Sequence, residues 1–334
     1  MSVAFLPPAM PGLCAALTLH SPAGARARLA TLIFHRVMPA PDPLCPDEMH
    51  ALRFDALCSW LARTFNVLPL DQAVRALCQG GLPARALAIS FDDGYADNHD
   101  TALPILQRHG LSATFFVTTG YLDGGRMFND TVIEAVRRAP GLQLDLRAPE
   151  TGALGLLPLD GWPARRAAVA RILGGIKYLP PAQRPQVAQA IANTAGNGLP
   201  DDLMMSSAQV RALHDAGMTI GGHTVSHPIL ATLDDAAQFE EVVQGKRRLE
   251  LVTGAPVTLF AYPNGKPGTD YDARSVAAVK CAGFEAAVST AWGAAHRSTD
   301  LFQIPRFTPW SESPPRFAAH MLRNYWRTPD RAAA

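Results

Sequence analysis

The chain has 334 residues, 48% of them hydrophobic and 18% charged, with 30 basic against 29 acidic residues and a net charge of +1. A chain of this size and apolar content buries a large core, which excludes general disorder, and its balanced charge gives no reason to expect nucleic acid as a partner. Five cysteines, odd in number and never in CxxC spacing, argue for free thiols in a reducing, cytoplasmic setting and against a disulfide framework or a thiolate metal site. The N-terminal MSVAFLPPAMPGLCAALTLH lacks a basic start and is broken by prolines, so it reads poorly as a signal peptide. No uncharged apolar run approaches the length of a transmembrane segment.

After an N-terminal extension over 1–27, the first expected strand is ATLIF (30–34), which ends at His35. Helical patterns at 54–65 and 71–80 lead to the strand ALAISF (86–91), which runs into Asp92, Asp93 and Gly94. A helix over 98–110, for which Asp97, Asn98 and Asp100 read as caps, precedes the strand ATFFV (113–117). From about 121 to 205 the rhythm breaks. Helical patterns at TVIEAVRRA and ARRAAVARIL, a Gly/Leu-rich connector at 152–161 and the Pro-rich YLPPAQRP read as an insertion rather than a separate domain. The alternation then resumes with a helix at 207–217, a strand at 218–222, a helix at 234–254, a strand at 257–262, a helix at 272–283 and a strand at 284–289. A C-terminal helix and tail occupy 311–334. This is the pattern of parallel strands joined by crossover helices, an α/β barrel or an open α/β sheet.

The chemistry gathers where strands end. SFDDG places two adjacent carboxylates after a buried strand, the position at which such folds keep their active sites, and a turn at Gly94 would swing both toward one place. Two like charges in a partly buried setting require a cation or a shared proton. GGHTVSHPIL (221–230) follows another strand, and on a helical turn the i, i+4 spacing of His223 and His227 leaves the two side chains close enough to share a metal. Two imidazoles and one carboxylate leave an open position for water, as in a hydrolytic site; one aspartate then ligates the cation and the other accepts a proton.

SFDDG together with HTVSHP resembles the polysaccharide deacetylase (NodB-homology) domain, carbohydrate esterase family 4, over roughly residues 28–310. The resemblance implies a distorted (β/α)7 barrel, Asp92 as general base, Asp93, His223 and His227 as metal ligands, and a divalent metal, zinc first with cobalt or nickel as substitutes. The implied substrate is an acetylated amino-sugar glycan. Two departures stand out. Where the family motif resembles F-R-x-P-Y-G this chain has FAYPNG (260–265), so Ala261 replaces the arginine that orients the base; Arg306 is the first candidate to replace it and Lys266 the second. The backbone N–H of Asn264 remains available as an oxyanion donor. No late L-x-H strand supplies a general acid, and ATLIFHRV resembles the Y-H-x-V opening of the permuted poly-N-acetylglucosamine deacetylases, which implies His35 as the acid, with His296 as the alternative. Tyr95, Tyr262, Trp292 and Trp310 are candidates to stack on sugar rings. A glycan-binding module without turnover and an amidohydrolase acting on a non-sugar amide are the competing readings.

Overall fold

The computed structural model describes residues 11–180, 183–196, 198–308 and 314–332. The chain divides into two compact units, one of residues 1–39, 49–122 and 205–334, the other of residues 40–48 and 123–204.

The larger unit is a distorted (β/α)7 barrel. Its strands are β1 (Ala30–Phe34), β2 (Asn66–Val67), β3 (Ala86–Phe91) and β4 (Thr114–Val117), and, after the second unit with its own β5 (Gln143–Leu146) and β6 (Gly155–Pro158), β7 (Thr219–Gly222), β8 (Leu259–Ala261) and β9 (Ala286–Val288). All pairings in the seven-stranded sheet are parallel, in the order β1-β3-β4-β7-β8-β9, and the short β2 lies against the start of β3. The segment 304–307 bridges the two ends of this sheet, Ile304 pairing with Val288 of β9 and Phe307 with Leu32 of β1.

Strand alternation sorts the side chains. On β3, Leu87, Ile89 and Phe91 join the cluster between sheet and helices, whereas Ala86 and Ala88 belong to a second cluster with Phe116, Ala261, Ala286 and Val288. Phe34, Phe91 and Phe115 are in register, with ring centroids 5.4 and 4.9 Å apart along the row, and Phe54 of the helix Ala51–Thr64 packs edge-on against the first two. Burying each of these side chains contributes on the order of 2–3 kcal/mol. The row fixes the strand ends, so the residue that follows β3, Asp92, takes the opposite face.

The N-terminal extension contributes structure: helix Pro11–His20 sets Leu17 into the same cluster as Phe317, Met321 and Tyr325 of the helix Pro314–Trp326. Asp97, Asn98 and Asp100 do not cap a helix as their spacing suggests, because the chain passes through a π-helical turn over Asn98–Ala102 before Leu103–Arg108, and Asp97 makes no capping hydrogen bond.

In the smaller unit, helices Phe128–Arg138, Gly161–Ile176 and Gln183–Ala195 pack around the antiparallel pair β5 and β6. The 152–161 stretch, expected as a connector, therefore holds a strand, and the Pro-rich stretch leads into a helix. Arg137 ties residues 40–48 to this unit through a bidentate pair with Asp42, at 2.8 and 2.6 Å.

Candidate active site

Four loops at the C-terminal ends of the barrel strands carry the candidate residues. Asp92 and Asp93 follow β3, His223 and His227 follow β7, Asn264 follows β8 and His35 follows β1. Arg306 reaches the same place from the bridging segment. Among the described residues, seven non-glycine positions have positive φ, and four of them, Asp93, Thr224, His227 and Asn264, lie in these loops. Backbone held in that region costs of order 1–3 kcal/mol per residue and persists only where the surroundings over-determine it.

The turn after β3 shows how. Asp93 has φ 75° and Gly94 φ 91°, and a Cβ on Gly94 would stand 2.9 Å from a Val117 methyl. The two carboxylates thereby part company. Asp92 turns to Arg306, which donates from Nη1 to Oδ1 at 2.6 Å and from Nη2 to Oδ2 at 2.7 Å. Arg306 is fully buried; its Nε donates to the Ser289 carbonyl, Nη1 also donates to Ser90 Oγ, and its guanidinium lies over the Phe116 ring. A bidentate guanidinium locks the carboxylate plane as an ammonium cannot. Burial acts to raise the Asp92 carboxyl, but the charge of Arg306, followed by His223, outweighs it and holds the group below the usual carboxylate range. Lys266, the second candidate cation, is exposed.

Asp93 faces the imidazoles. Its Oδ1 lies 3.4 Å from Nε2 of His223 and 3.4 Å from Nε2 of His227. That oxygen is buried and makes no hydrogen bond, and the three ligand atoms lie within 4.8 Å of one another. Two donors each about 2.0–2.1 Å from one tetrahedral cation stand roughly 3.3–3.4 Å apart, so Asp93 and the two histidines fit a zinc-like ion. His223 Nδ1 lies 2.7 Å from the Ala261 carbonyl, which only accepts; Nδ1 therefore carries the proton and Nε2 points its lone pair inward. Burial, partly opposed by Asp93, pushes His227 down to about 4 and leaves it a neutral donor at pH 7. His223 moves the other way: burial disfavours its charge, but the contact with Asp93 and the charge of Asp92 outweigh that and raise it.

The i, i+4 spacing works here without a helical turn. His223 to His227 is a loop in which Thr224 and His227 take positive φ, and this reversal brings the two rings to 4.9 Å. Thr224 Oγ1 donates to the His223 carbonyl and accepts the His227 N–H. Glu241, on the helix Asp235–Thr253, accepts the N–H groups of Val225 and Ser226 and the Ser226 hydroxyl. Before the loop, Gly221 has no room for a side chain, since a Cβ would stand 2.4 Å from the Phe116 ring. Ser289 and Glu241 escape a reading of the sequence because nothing near them in the chain marks them, and Ser90, though it opens SFDDG, acts on Arg306, far along the chain.

The other candidates separate. His35 is exposed and lies within electrostatic reach of Asp92, Asp93 and His227. Asn264 is half-buried, with its carbonyl bonded by Thr290. His296 belongs elsewhere. Its neighbour Ala295 pairs with Leu29, at the start of β1, so His296 sits a whole strand, roughly 16 Å, from the end that carries His35. There it lines a cavity of about 520 Å³ with Arg26, Arg28 and Arg297. Tyr262 is not a sugar platform: it is fully buried, stacked on Tyr271 at 3.9 Å, and its hydroxyl donates to the Phe302 carbonyl. Tyr95 is likewise buried, with the Arg36 guanidinium over its ring. Trp292 is 42% exposed, with Arg327 over its ring. Trp310 lies outside the described residues.

The polysaccharide deacetylase family model matches residues 79–142 and 182–287, half of the chain, and spans Asp92, Asp93, His223 and His227. The chain belongs to the polysaccharide deacetylase family. It is 21% identical over 282 residues to YxkH of Bacillus subtilis (strain 168), named as a polysaccharide deacetylase, covering 84% of this chain and 71% of that protein. The fold is similar to that of the Streptococcus pyogenes deacetylase PplD solved in complex with acetate (TM-score 0.59, 18% identity, 88% of this chain and 98% of that one). It is also similar to IcaB from Ammonifex degensii (TM-score 0.56, 17% identity, 90% and 98%). The protein is thus a deacetylase enzyme of carbohydrate esterase family 4, acting on polysaccharide. Among the described residues no helix is long and apolar enough to cross a membrane.

Proposed function

We propose that this polysaccharide deacetylase is a metal-dependent hydrolase that removes N-acetyl groups from an amino-sugar glycan, releasing acetate and a free amine. The observation that carries the reading is the division of labour between the two aspartates: Asp92 is clamped by a buried arginine, whereas Asp93 offers an unpartnered oxygen to two histidines.

A divalent cation held by Asp93, His223 and His227 would polarise an acetamide carbonyl and make water a better nucleophile. The remaining work falls to the chain. Asp92 accepts a proton from the attacking water. It is ionised at neutral pH because Arg306 opposes the effect of burial, and the bidentate clamp fixes which way its lone pairs face. The N–H of Asn264 stabilises the negative charge that develops on the carbonyl oxygen, a role that needs no particular side chain. His35, exposed at the end of β1, gives its proton to the departing amine.

A binding module without turnover is the weaker reading. Ala261 in place of the motif arginine favours it, but Arg306 supplies a cation to Asp92 from another part of the barrel. The test is acetate release from N-acetylated chitooligosaccharides, with O-acetylated xylan and a non-sugar acetamide alongside, each with and without added zinc. We expect zinc-dependent release from the chitooligosaccharides. Release confined to xylan or to the non-sugar amide contradicts the substrate class, and binding without release contradicts turnover.

A further inference from the structure

We infer that Asp97, together with Asn98, is a positioning residue that fixes the loop carrying His35, an inference that rests on the reading of His35 as the acid. Asp97 and Asn98 belong to the same SFDDGYADN stretch as the base. Both are buried, and neither caps the helix that follows.

Their polar atoms turn back to β1 instead. Asp97 Oδ2 accepts from Arg36 Nε at 2.8 Å, and Oδ1 accepts the Val37 N–H at 3.0 Å. Asn98 Nδ2 donates to the His35 carbonyl at 2.8 Å and to Asp97 Oδ1 at 3.2 Å. Three consecutive residues, His35, Arg36 and Val37, are thus each tied to this pair, by carbonyl, side chain and N–H in turn. The Asp92 N–H donates to the Phe34 carbonyl at 2.9 Å and continues the seam by one more residue. The Asn98 amide has only one workable orientation, since the end that faces a carbonyl and a carboxylate must be the NH₂.

These ties hold the backbone at His35 and Val37 and the side chain of Arg36. They decide where the His35 Cα–Cβ bond points, which matters most for an exposed side chain. A proton donor must lie within hydrogen-bond reach of the leaving nitrogen, and a displacement of about 1 Å costs roughly 10²-fold in rate. A buried carboxylate is costly to desolvate. The hydrogen bonds that Asp97 accepts come from Arg36 and Val37 of the loop and from its partner Asn98.

The test is a double-mutant cycle between Asp97→Asn and His35→Gln. It is read on an N-acetylated chitooligosaccharide, whose amine leaving group needs a proton, and on an activated aryl acetate, whose leaving group does not. Asp97→Asn is expected to lower amide turnover by about 10- to 100-fold, to lower aryl acetate turnover by a much smaller factor, and to leave bound metal unchanged. In the His35→Gln background it is expected to have almost no further effect on the amide, since a residue that works through His35 has nothing left to position. Asn98→Ala, which removes the tie to the His35 carbonyl without changing charge, runs through the same cycle and keeps the test decisive if Asp97→Asn folds poorly. If His35→Gln is selective for the amide but Asp97→Asn and Asn98→Ala lower the rate equally in both backgrounds, or equally on both substrates, the positioning role is wrong while the acid role stands. If His35→Gln shows no amide selectivity, both fall.

Discussion

Replacing Arg306 by methionine removes the guanidinium and keeps a side chain of comparable reach in a fully buried place. Asp92 would lose two charge-assisted hydrogen bonds, at 2.6 and 2.7 Å, and remain a desolvated carboxylate. Breaking a buried pair by removing one partner costs about 3–5 kcal/mol, because the charge left behind is uncompensated. The protein escapes part of that cost by protonating Asp92, whose carboxyl rises once burial is no longer opposed by the guanidinium. The sign reverses between the two proteins. In the parent, Asp92 is depressed below its unfolded value, so its contribution is fully present above the unfolded pKa and is lost as pH falls through the folded one. In Arg306→Met the folded pKa is raised, so stability declines as pH rises from the unfolded value, near 4, through the folded one. The deficit of the variant, measured by urea unfolding in the presence of a chelator, should therefore be small near pH 4 and grow to several kcal/mol by pH 7. The acidic limb of its amide-hydrolysis profile should move to higher pH. A deficit below about 1 kcal/mol, or one independent of pH, would refute the claim that Arg306 and Asp92 form a desolvated pair.

Other changes separate the remaining roles. His227→Ala should stay folded and lose stoichiometric metal, read by elemental analysis, because two of three ligands do not complete the site. His35→Gln should lower hydrolysis of the N-acetyl glycan by about 10²–10⁴ while affecting an activated aryl acetate far less; His296→Gln, a strand length away, should leave both rates within about two-fold. Tyr262→Phe should cost about 1 kcal/mol in unfolding free energy through its lost bond to Phe302 and leave the KM for glycan unchanged, since the ring touches no solvent.

The fold was legible because its signal is local. The six apolar runs that end at Phe34, Phe91, Val117, Gly222, Tyr262 and Ser289 contain the six longer strands of the barrel, and the alternation of Ala and Leu on β3 marks its two faces. β2 escaped because two residues carry no periodicity, and β6 because Gly155 and Pro158 look like turn residues until β5 pairs with them. At the site, types and spacing pointed to the two aspartates and two histidines as a group. They did not reveal the local geometry: an i, i+4 pair reads naturally as a helical turn, whereas His223 and His227 meet through left-handed backbone at Thr224 and His227. Tyr95 and Tyr262 stand beside the motifs, but adjacency in the chain does not say whether a ring faces the site or the core, and both rings are buried. Glu241, Ser90 and the backbone ties of Asp97 depend on contacts between distant segments, which no single stretch of sequence displays.

The central claim is that the two adjacent aspartates do different work, Asp93 holding the cation and Asp92 taking the proton. Metal content and acetate release measured together on Asp92→Asn and Asp93→Asn test it most directly. Asp92→Asn should keep stoichiometric metal and lose about 10²–10⁴ in turnover, whereas Asp93→Asn should lose metal and turnover together. Metal lost from Asp92→Asn and kept in Asp93→Asn would mean that the roles are exchanged, and near-parental turnover in Asp92→Asn would contradict the account.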